Sequence, residues 1–394
     1  MIRLGEIVKV TAGQAAPKEF SKDGLPFIRA GHLKELLDGK KLESLPKVSV
    51  EVANKKRLKT IPLGTIIFAK SGMSATKNRI YITKGEAYFV SHLAGILPNS
   101  KISGPYLSRY LSWYNPTNLI LDSAYPSIRL EDINNLKIPL PPLDQQKKIA
   151  AILDAADTYR QKTKALITKY EELTQSLFLD MFGDTVSNPK GWEIKTIEQL
   201  VKKQKYSLKR GPFGGALKKE IFVKDGYLVY EQYHALNNDF SMARYFIDEK
   251  KYKELIGFAV NPKDIIISCS GVYLGKLAII PENAREGIIN QALLKVTLDE
   301  SKIRNDFFVF HFTQQNFKQK YFDSNRGAGV PNFPPMKVFK QFPFISPPIE
   351  LQNKFAERIQ AIEAQKSQAQ ASLVQAEDLF NSLLQKAFKG ELTT

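Results

Sequence analysis

The residues that could carry a reaction are few and poorly grouped. Gly271-Val272-Tyr273-Leu274-Gly275-Lys276-Leu277 has the glycines and lysine of a phosphate-cradling loop. It is one residue short, and no Ser or Thr follows the lysine, so it reads as a turn. Glu249-Lys250-Lys251 has the E-x-K order of some nucleases but no partner carboxylate, and it lies in a solvated charge run. Asn332-Phe333-Pro334-Pro335 scrambles an Asn-Pro-Pro-aromatic motif and comes without a glycine-rich cofactor loop. His32, His92, His234 and His311 stand singly, without metal-ligand spacing. The single cysteine, Cys269, lies in the apolar run DIIISCSGV. It excludes a disulfide framework and a cysteine-based zinc site and fits a reducing cytoplasm. No catalytic set and no metal site emerges.

What the chain does offer is positive charge, unevenly spread. Lys and Arg number 57 against 40 Asp and Glu, a formal net charge of +17 over 394 residues. Residues 1–140 hold 21 basic and 11 acidic side chains, and residues 185–346 hold 25 and 16. The stretches 141–184 and 347–394 are balanced, at 6 against 7 and 5 against 6. Two basic regions on neutral connectors suit a polyanion, because each phosphate neutralised releases counterions. No run of 18 apolar residues exists, and MIRLGEIVKV lacks the apolar core of a secretory signal.

Contacts to such a partner are expected from loops. In the first basic region the candidates are Arg29, His32 and Lys34 after the strand-like Leu25 to Ile28. Lys70, Ser71, Lys77 and Arg79 follow an apolar strand, and Tyr125, Ser127 and Arg129 come later. In the second region they are Lys209, Arg210, Lys218 and Lys219 around Gly211-Pro212-Phe213-Gly214-Gly215. Tyr230, Gln232 and Tyr233, then Ser270, Tyr273 and Lys276, then Asn325 and Arg326 complete the set. Arg and Gln suit base edges through paired hydrogen bonds, and Lys suits phosphates.

The elements that must position these loops occur twice. Pro141 to Asp184 realigns without a gap on Pro347 to Gly390, with twelve of 44 positions identical. Leu4-Gly5-Glu6-Ile7-Val8 matches Ile197-Glu198-Gln199-Leu200-Val201, and Ile61 to Met73 matches Val260 to Val272. The offsets rise in chain order (193, 199, 206), as duplication of a whole half with small insertions would leave them. In the first half, Ile61 to Ala69, Arg79 to Ile82 and Leu93 to Leu97 read as strands and Tyr106 to Trp113 as a helix. In the second, Ile265 to Ile267, Leu277 to Ile280 and Ala292 to Val296 read as strands and Asp306 to Phe317 as a helix.

Each connector opens on prolines, follows with Asp144 or Glu350, and has no further Pro or Gly until Gly183 or Gly390. Apolar and small residues recur at spacings of four and three. The first seam is Ile149, Leu153, Ala156, Thr163, Ile167, Tyr170, Leu177 and Met181. The second is Phe355, Ile359, Ile362, Ala369, Leu373, Ala376, Leu383 and Ala387. Helices of some 39 residues would be roughly 58 Å long. Two related seams are best buried against each other as an antiparallel pair, through Ile149, Leu153, Ile167, Leu177, Phe355, Ile359, Leu373 and Leu383. The expected fold is α+β with a pseudo-twofold repeat: globular mixed α/β domains at 1–140 and 185–346, and helical spacers at 141–184 and 347–394.

PLPPLDQQ at Pro139 to Gln146, echoed by SPPIELQ at Ser346 to Gln352, opens the two long helices within a duplicated chain. In this the sequence resembles the specificity subunits of Type I restriction–modification systems over its full length. It departs from its own second half in lacking a lead-in like Asn188-Pro189-Lys190-Gly191-Trp192 before the first repeat. The resemblance implies two target-recognition domains that read a bipartite, asymmetric double-stranded DNA site. It implies paired helices that bind two methyltransferase subunits, with two motor-nuclease subunits joining for restriction. The partners would use S-adenosylmethionine, ATP and Mg; this chain would need no cofactor and do no chemistry. The residues alone leave open an enzyme with diverged motifs, a coiled-coil adaptor for acidic protein, and a methylation-only system without a motor-nuclease.

Overall fold

The computed structural model describes residues 1–97, 99–271, 273–322 and 333–392. The first half runs through β1 (Ile2–Arg3), β2 (Lys9–Ala12), β3 (Leu25–Ile28), α1 (His32–Leu37), β4 (Lys47–Val48), α2 (Val50–Lys56), β5 (Ile66–Ala69) and β6 (Tyr81–Ile82). It continues through β7 (Tyr88–Phe89), β8 (Leu93–Leu97), α3 (Gly104–Tyr114), α4 (Leu130–Asn134), β9 (Lys137–Ile138) and α5 (Leu143–Phe182). The second half runs through β10 (Ile194–Thr196), α6 (Ile197–Leu200), β11 (Leu208–Arg210), β12 (Phe222–Val223), β13 (Tyr227–Tyr230), α7 (Gln232–Asn237), β14 (Phe246–Ile247), α8 (Glu249–Glu254), β15 (Ala259–Val260) and β16 (Ile265–Ser268). It ends with β17 (Leu277–Ile279), β18 (Gly287–Ile289), β19 (Leu293–Val296), α9 (Asn305–Thr313), α10 (Gln315–Tyr321), α11 (Met336–Phe339), β20 (Pro343–Ile345) and α12 (Ile349–Lys389).

The chain forms two compact units, residues 1–165 with 369–394, and residues 166–368. The helices are therefore not separate bodies, because each gives one portion to each unit. Among the described residues no helix is long and apolar enough to cross a membrane.

The same topology is built in both units. The first has a four-stranded antiparallel sheet in the order β2-β8-β5-β6, and the second has β11-β19-β16-β17. Beside it lies a sheet with one parallel pair, β3 with β7 in the first unit and β13 with β18 in the second. A short antiparallel pair, β1–β9 or β10–β20, leads into the long helix. The apolar runs at β5 and β16 follow from burial on both faces, since successive strand residues point to opposite sides. Ile66 and Phe68 face the core that holds Tyr106, Leu107 and Tyr110, while Ile67 and Ala69 face the one that holds Leu33, Leu36 and Phe89.

Two expectations need correction. The strand read over Ile61 to Ala69 begins at Ile66; Ile61 makes only an isolated bridge to Ala87, because Pro62 and Gly64 form a turn between them. The helix read over Asp306 to Phe317 is two helices broken at Gln314, whose backbone is extended (φ −56°, ψ 134°). The break lets Phe317 turn back onto His311 and Phe344.

Paired glycines betray the duplication in the backbone. A Cβ on Gly13 would lie 2.2 Å from Phe89 O, and one on Gly211 would lie 1.8 Å from Asn290 O. In each half the end of the first sheet strand thus passes against the parallel pair with no room for a side chain.

α5 and α12 contain 40 and 41 residues and stop before Gly183 and Gly390, both at positive φ. In the first unit Ile149, Ala150 and Leu153 of α5 pack with Phe380, Ala387 and Phe388 of α12. Lys164 pairs with Glu377 at 2.9 Å. In the second unit Phe178 and Phe182 meet Phe355, and Lys366 pairs with Glu171 at 3.3 Å. In both units rising numbers on α5 meet falling numbers on α12, so the helices run antiparallel. Of the seam residues, Ile149, Leu153, Phe355 and Ile359 are buried, while Ile167, Leu177, Leu373 and Leu383 are half-buried. Phe178, Phe182, Phe380 and Phe388, outside the expected set, are buried near the helix ends as well. Those turns also dock on a globular helix, so a second apolar face is needed. Phe388 lies against Tyr106, Tyr110 and Trp113 of α3, and Phe178 against Phe307 and Phe310 of α9.

The glutamine shared by both proline-led signatures locks each long helix to its globular domain. Gln146 accepts from Ser103 N (2.8 Å) and donates to Pro141 O (2.8 Å) and Lys101 O (3.3 Å). Gln352 repeats this with Arg304 N (2.9 Å), Pro347 O (2.8 Å) and Lys302 O (3.3 Å). Both are buried. Leucine at either position strands one backbone donor and two acceptors. We expect Gln352→Leu to destabilise the second unit by about 2–4 kcal/mol, read as a lower urea midpoint.

Candidate nucleic-acid interface

In the first unit the structure joins two groups of candidates that are distant in sequence. Lys70 and Ser71 leave the end of β5. Ile128 N donates to Lys70 O (2.7 Å) and Gly72 N to Pro126 O (2.9 Å), which lays the segment of Tyr125, Ser127 and Arg129 alongside them. Tyr125 is 82% exposed. Arg129 is exposed but chelates Asp132 through Nε (3.0 Å) and Nη2 (2.9 Å), so its fork is already engaged. Lys77 and Arg79 are tied through Asn78, which donates to Ser112 O (2.7 Å), to the end of α3 rather than to the Ser71–Ser127 pairing.

Arg29 and His32 form a third group at the start of α1. Arg29 N donates to His32 Nδ1 (3.2 Å), and the Arg29 guanidinium lies 4.7 Å from the centre of the Phe20 ring. Burial pushes the His32 pKa down, against the pull of Glu35 and with help from Arg29 and Lys40, so the imidazole is held neutral. Lys34 is exposed on the same helix.

The second unit places Lys209 and Arg210 at the end of β11, where the chain passes tightly against Asn290 at Gly211. The Lys209 ammonium sits over Tyr206 (5.4 Å) and Phe258 (5.0 Å), and the Arg210 guanidinium over Phe213 (5.6 Å). Arg210 Nε is buried without a partner among the described residues. Lys218 and Lys219 are exposed beyond a short turn over Gly214–Leu217. Tyr233 is 38% exposed, and its hydroxyl donates to Asp239 (2.8 Å). Ser270, Tyr273 and Lys276 lie on the loop after β16. Asn325 and Arg326 lie outside the described residues.

Tyr230 must be withdrawn as a surface contact. It is the last residue of β13 and fully buried, its hydroxyl donates to Arg285 O (2.5 Å), and its ring packs on His234 and Phe240. β13 is covered on both faces, Val229 packing in one core and Tyr230 in another, so its last residue is buried as well.

Two further residues lie against these candidates. His92, singled out only as a lone histidine, brings Nδ1 to 2.8 Å from Ser71 Oγ. Lys318 of α10 brings Cε within 4.0 Å of the Cβ position of Gly275, beside Lys276. Burial, and then the neighbouring Lys276 charge, push the Lys318 pKa down. Two ammonium groups held together suit a phosphate. Lys276→Ala and Lys318→Ala should each weaken DNA binding evenly across sequences and reduce the salt slope by about one, measured by titration at several salt concentrations.

Gly271, Gly275, Cys269 and His234, weighed for reactions, serve structure; Val272 and Asn332 lie outside the described residues. Gly271 and Gly275 take positive φ (75° and 74°) as turn residues. Cys269 is buried, and burial pushes its thiol up to about 12, far from a reactive thiolate. His234 is buried, with Nε2 3.0 Å from Met242 O. Among the described residues no group of three His, Cys, Asp or Glu is placed to hold a metal.

Known proteins align with this architecture. The family model described as the Type I restriction modification DNA specificity domain matches twice, over residues 1–174 and 189–374. The Type I restriction enzyme MjaIX specificity subunit of Methanocaldococcus jannaschii is 21% identical over 366 residues, covering 85% of this chain and 79% of that one. The Type I restriction–modification S subunit structure from M. genitalium superimposes with a TM-score of 0.54 at 14% identity, covering 98% of this chain and 95% of that one. A chain solved to explain complex assembly and conformational transition of the type I R-M system gives a TM-score of 0.63 at 17% identity, covering 99% and 97%.

Proposed function

Because this chain belongs to the Type I restriction–modification DNA specificity family, we propose that its two globular domains read the two unlike halves of a bipartite, asymmetric DNA site. The paired helices present their repeated surface to two adenine methyltransferase subunits, and two motor-nuclease subunits join that assembly for restriction. The partners bring S-adenosylmethionine, ATP and Mg; the chain brings recognition and works in the cytoplasm.

The observation that carries this reading is one topology built twice with unlike loops. The sheets, the tight glycines and the helix-locking glutamines repeat. At the ends of β5 and β16, Ala69 and Lys70 stand where the second unit has Ser268 and Cys269. A surface repeated through α5 and α12 fits two copies of one partner, while divergent loops fit two different sequences.

The test is to map methylated adenines in cells that carry the methyltransferase with and without this chain. The expected result is a split, non-palindromic motif that appears only with the chain. One contiguous palindrome, or a motif independent of the chain, would overturn the reading. Cleavage of unmodified DNA by the complete set of subunits separates a restricting system from one that only methylates.

A further inference from the structure

Gln232 is the first residue of α7, separated from β13 by Glu231 alone, and it bridges to the end of β16. Its Nε2 donates to Ser268 Oγ (2.5 Å) and to Ser270 O (2.7 Å). A backbone carbonyl only accepts, so the contact with Ser270 O orients the amide with its nitrogen inward. Both N–H groups are then used. Oε1 accepts no hydrogen bond among the described residues, and it is not among the buried side-chain atoms that lack a partner. Gln232 is half-buried. It is therefore a fixed amide with one free, solvent-reached acceptor and no free donor.

Resting on the reading that this chain recognises DNA, we propose that Gln232 is a specificity-determining residue whose Oε1 accepts from an exocyclic amino group of a base in the half-site read by the second unit. An unlocked glutamine can donate to N7 and accept from N6 of adenine together. A locked one cannot donate. It meets an amino group favourably and a base carbonyl, such as guanine O6 or thymine O4, with two opposed acceptors. Having been ordered within the folded protein, it also loses little side-chain freedom on binding.

The first unit shows why this position is suited to discrimination. Ser268 pairs with Leu293 as Ala69 pairs with Leu93, and Tyr230 pairs with Ile289 as Ile28 pairs with Phe89. The counterparts of Gln232 and Ser268 are therefore Ala30 and Ala69, which cannot build the lock. There Ser71 meets His92 instead. The same point of the fold thus offers an amide acceptor in one unit and a hydroxyl–imidazole pair in the other.

The experiment uses the full chain and duplexes of its selected target. Single bases are replaced in turn by analogues lacking the exocyclic amino group: purine for adenine, 2-pyrimidinone for cytosine and inosine for guanine. With the wild-type chain we expect one position in one half-site where the loss of the amino group weakens binding about tenfold, as for one neutral hydrogen bond. The analogue that responds names the base. With Gln232→Ala and Gln232→Met that penalty should vanish, while penalties in the other half-site persist and certify a folded, binding-competent chain. Retention of every wild-type penalty in both variants would overturn the proposal. So would loss of a penalty that depends on a base carbonyl rather than an amino group. A wild-type chain with no sequence preference at all would instead overturn the DNA-recognition reading itself.

Discussion

Truncating Phe355 to alanine is expected to cost the second unit about 3–5 kcal/mol, a large part of the roughly 5–15 kcal/mol that holds a typical domain folded. Phe355 is fully buried, with its ring centre 5.6 Å from Phe178, 5.2 Å from Phe182 and 5.2 Å from Phe310. It is where α12, α5 and α9 meet. Removing it opens a cavity walled by two rings of the long helix α5 and one of α9, in a close-packed core that relaxes only in part. The two tryptophans make the effect readable by unit. Trp192 packs on the second core and donates from Nε1 to Phe182 O (2.8 Å), while Trp113 packs on Phe388 in the first. In a Trp113→Phe background, fluorescence of Trp192 should report a urea midpoint shifted down by that energy. With Trp192→Phe instead, Trp113 should report a smaller change or none.

The second large effect is one of acidity. His311 is fully buried among Phe307, Phe317 and Phe344, and its Nε2 accepts from Ile345 N (3.2 Å). Nδ1 has no partner among the described residues. Burial pushes its pKa down to about 3, from an unfolded value near 6.5. Above pH 6.5 neither state binds this proton. Below it the unfolded chain does and the folded one does not, so stability is lost at about 1.4 kcal/mol per pH unit until pH falls to about 3. Between pH 6.5 and 5 the loss is about 2 kcal/mol. His311→Asn keeps an acceptor for Ile345 N without the titration. The check compares urea midpoints at the two pH values by Trp192 fluorescence. The variant should show a weaker dependence, by about that amount; an equal dependence would place the acid sensitivity elsewhere.

Long, strongly patterned features could be read from the residues, and features set by a second contact could not. The helices were visible because nothing but Gly183 and Gly390 could stop them, and β8 because Leu93 to Leu97 is apolar between turns. The Phe178 and Phe182 positions escaped because a heptad seam describes one partner, whereas the ends of α5 answer to α9 as well. The break at Gln314 carries no proline or glycine; it is imposed by the packing of Phe317. Tyr230 was misplaced because an aromatic beside Gln232 and Tyr233 looks like part of a polar loop, whereas it ends a strand that is buried on both faces. The pairing of Ser71 with Ser127 and of Gln232 with Ser268 depends on how sheet ends meet, which no local pattern reports.

The first unit is not contiguous in the chain. It needs Phe380 and Phe388 to finish a core begun by Tyr106 and Ile149, whereas the second unit draws only on residues 166 to 368. The later-made module can therefore close without the last part of α12, while the earlier one keeps an open groove until residues 369–394 are in place. A released chain ending at residue 368 should show a protease-resistant second module and a still-sensitive first one. Premature termination would release a product whose damage lies at its beginning rather than at its cut end.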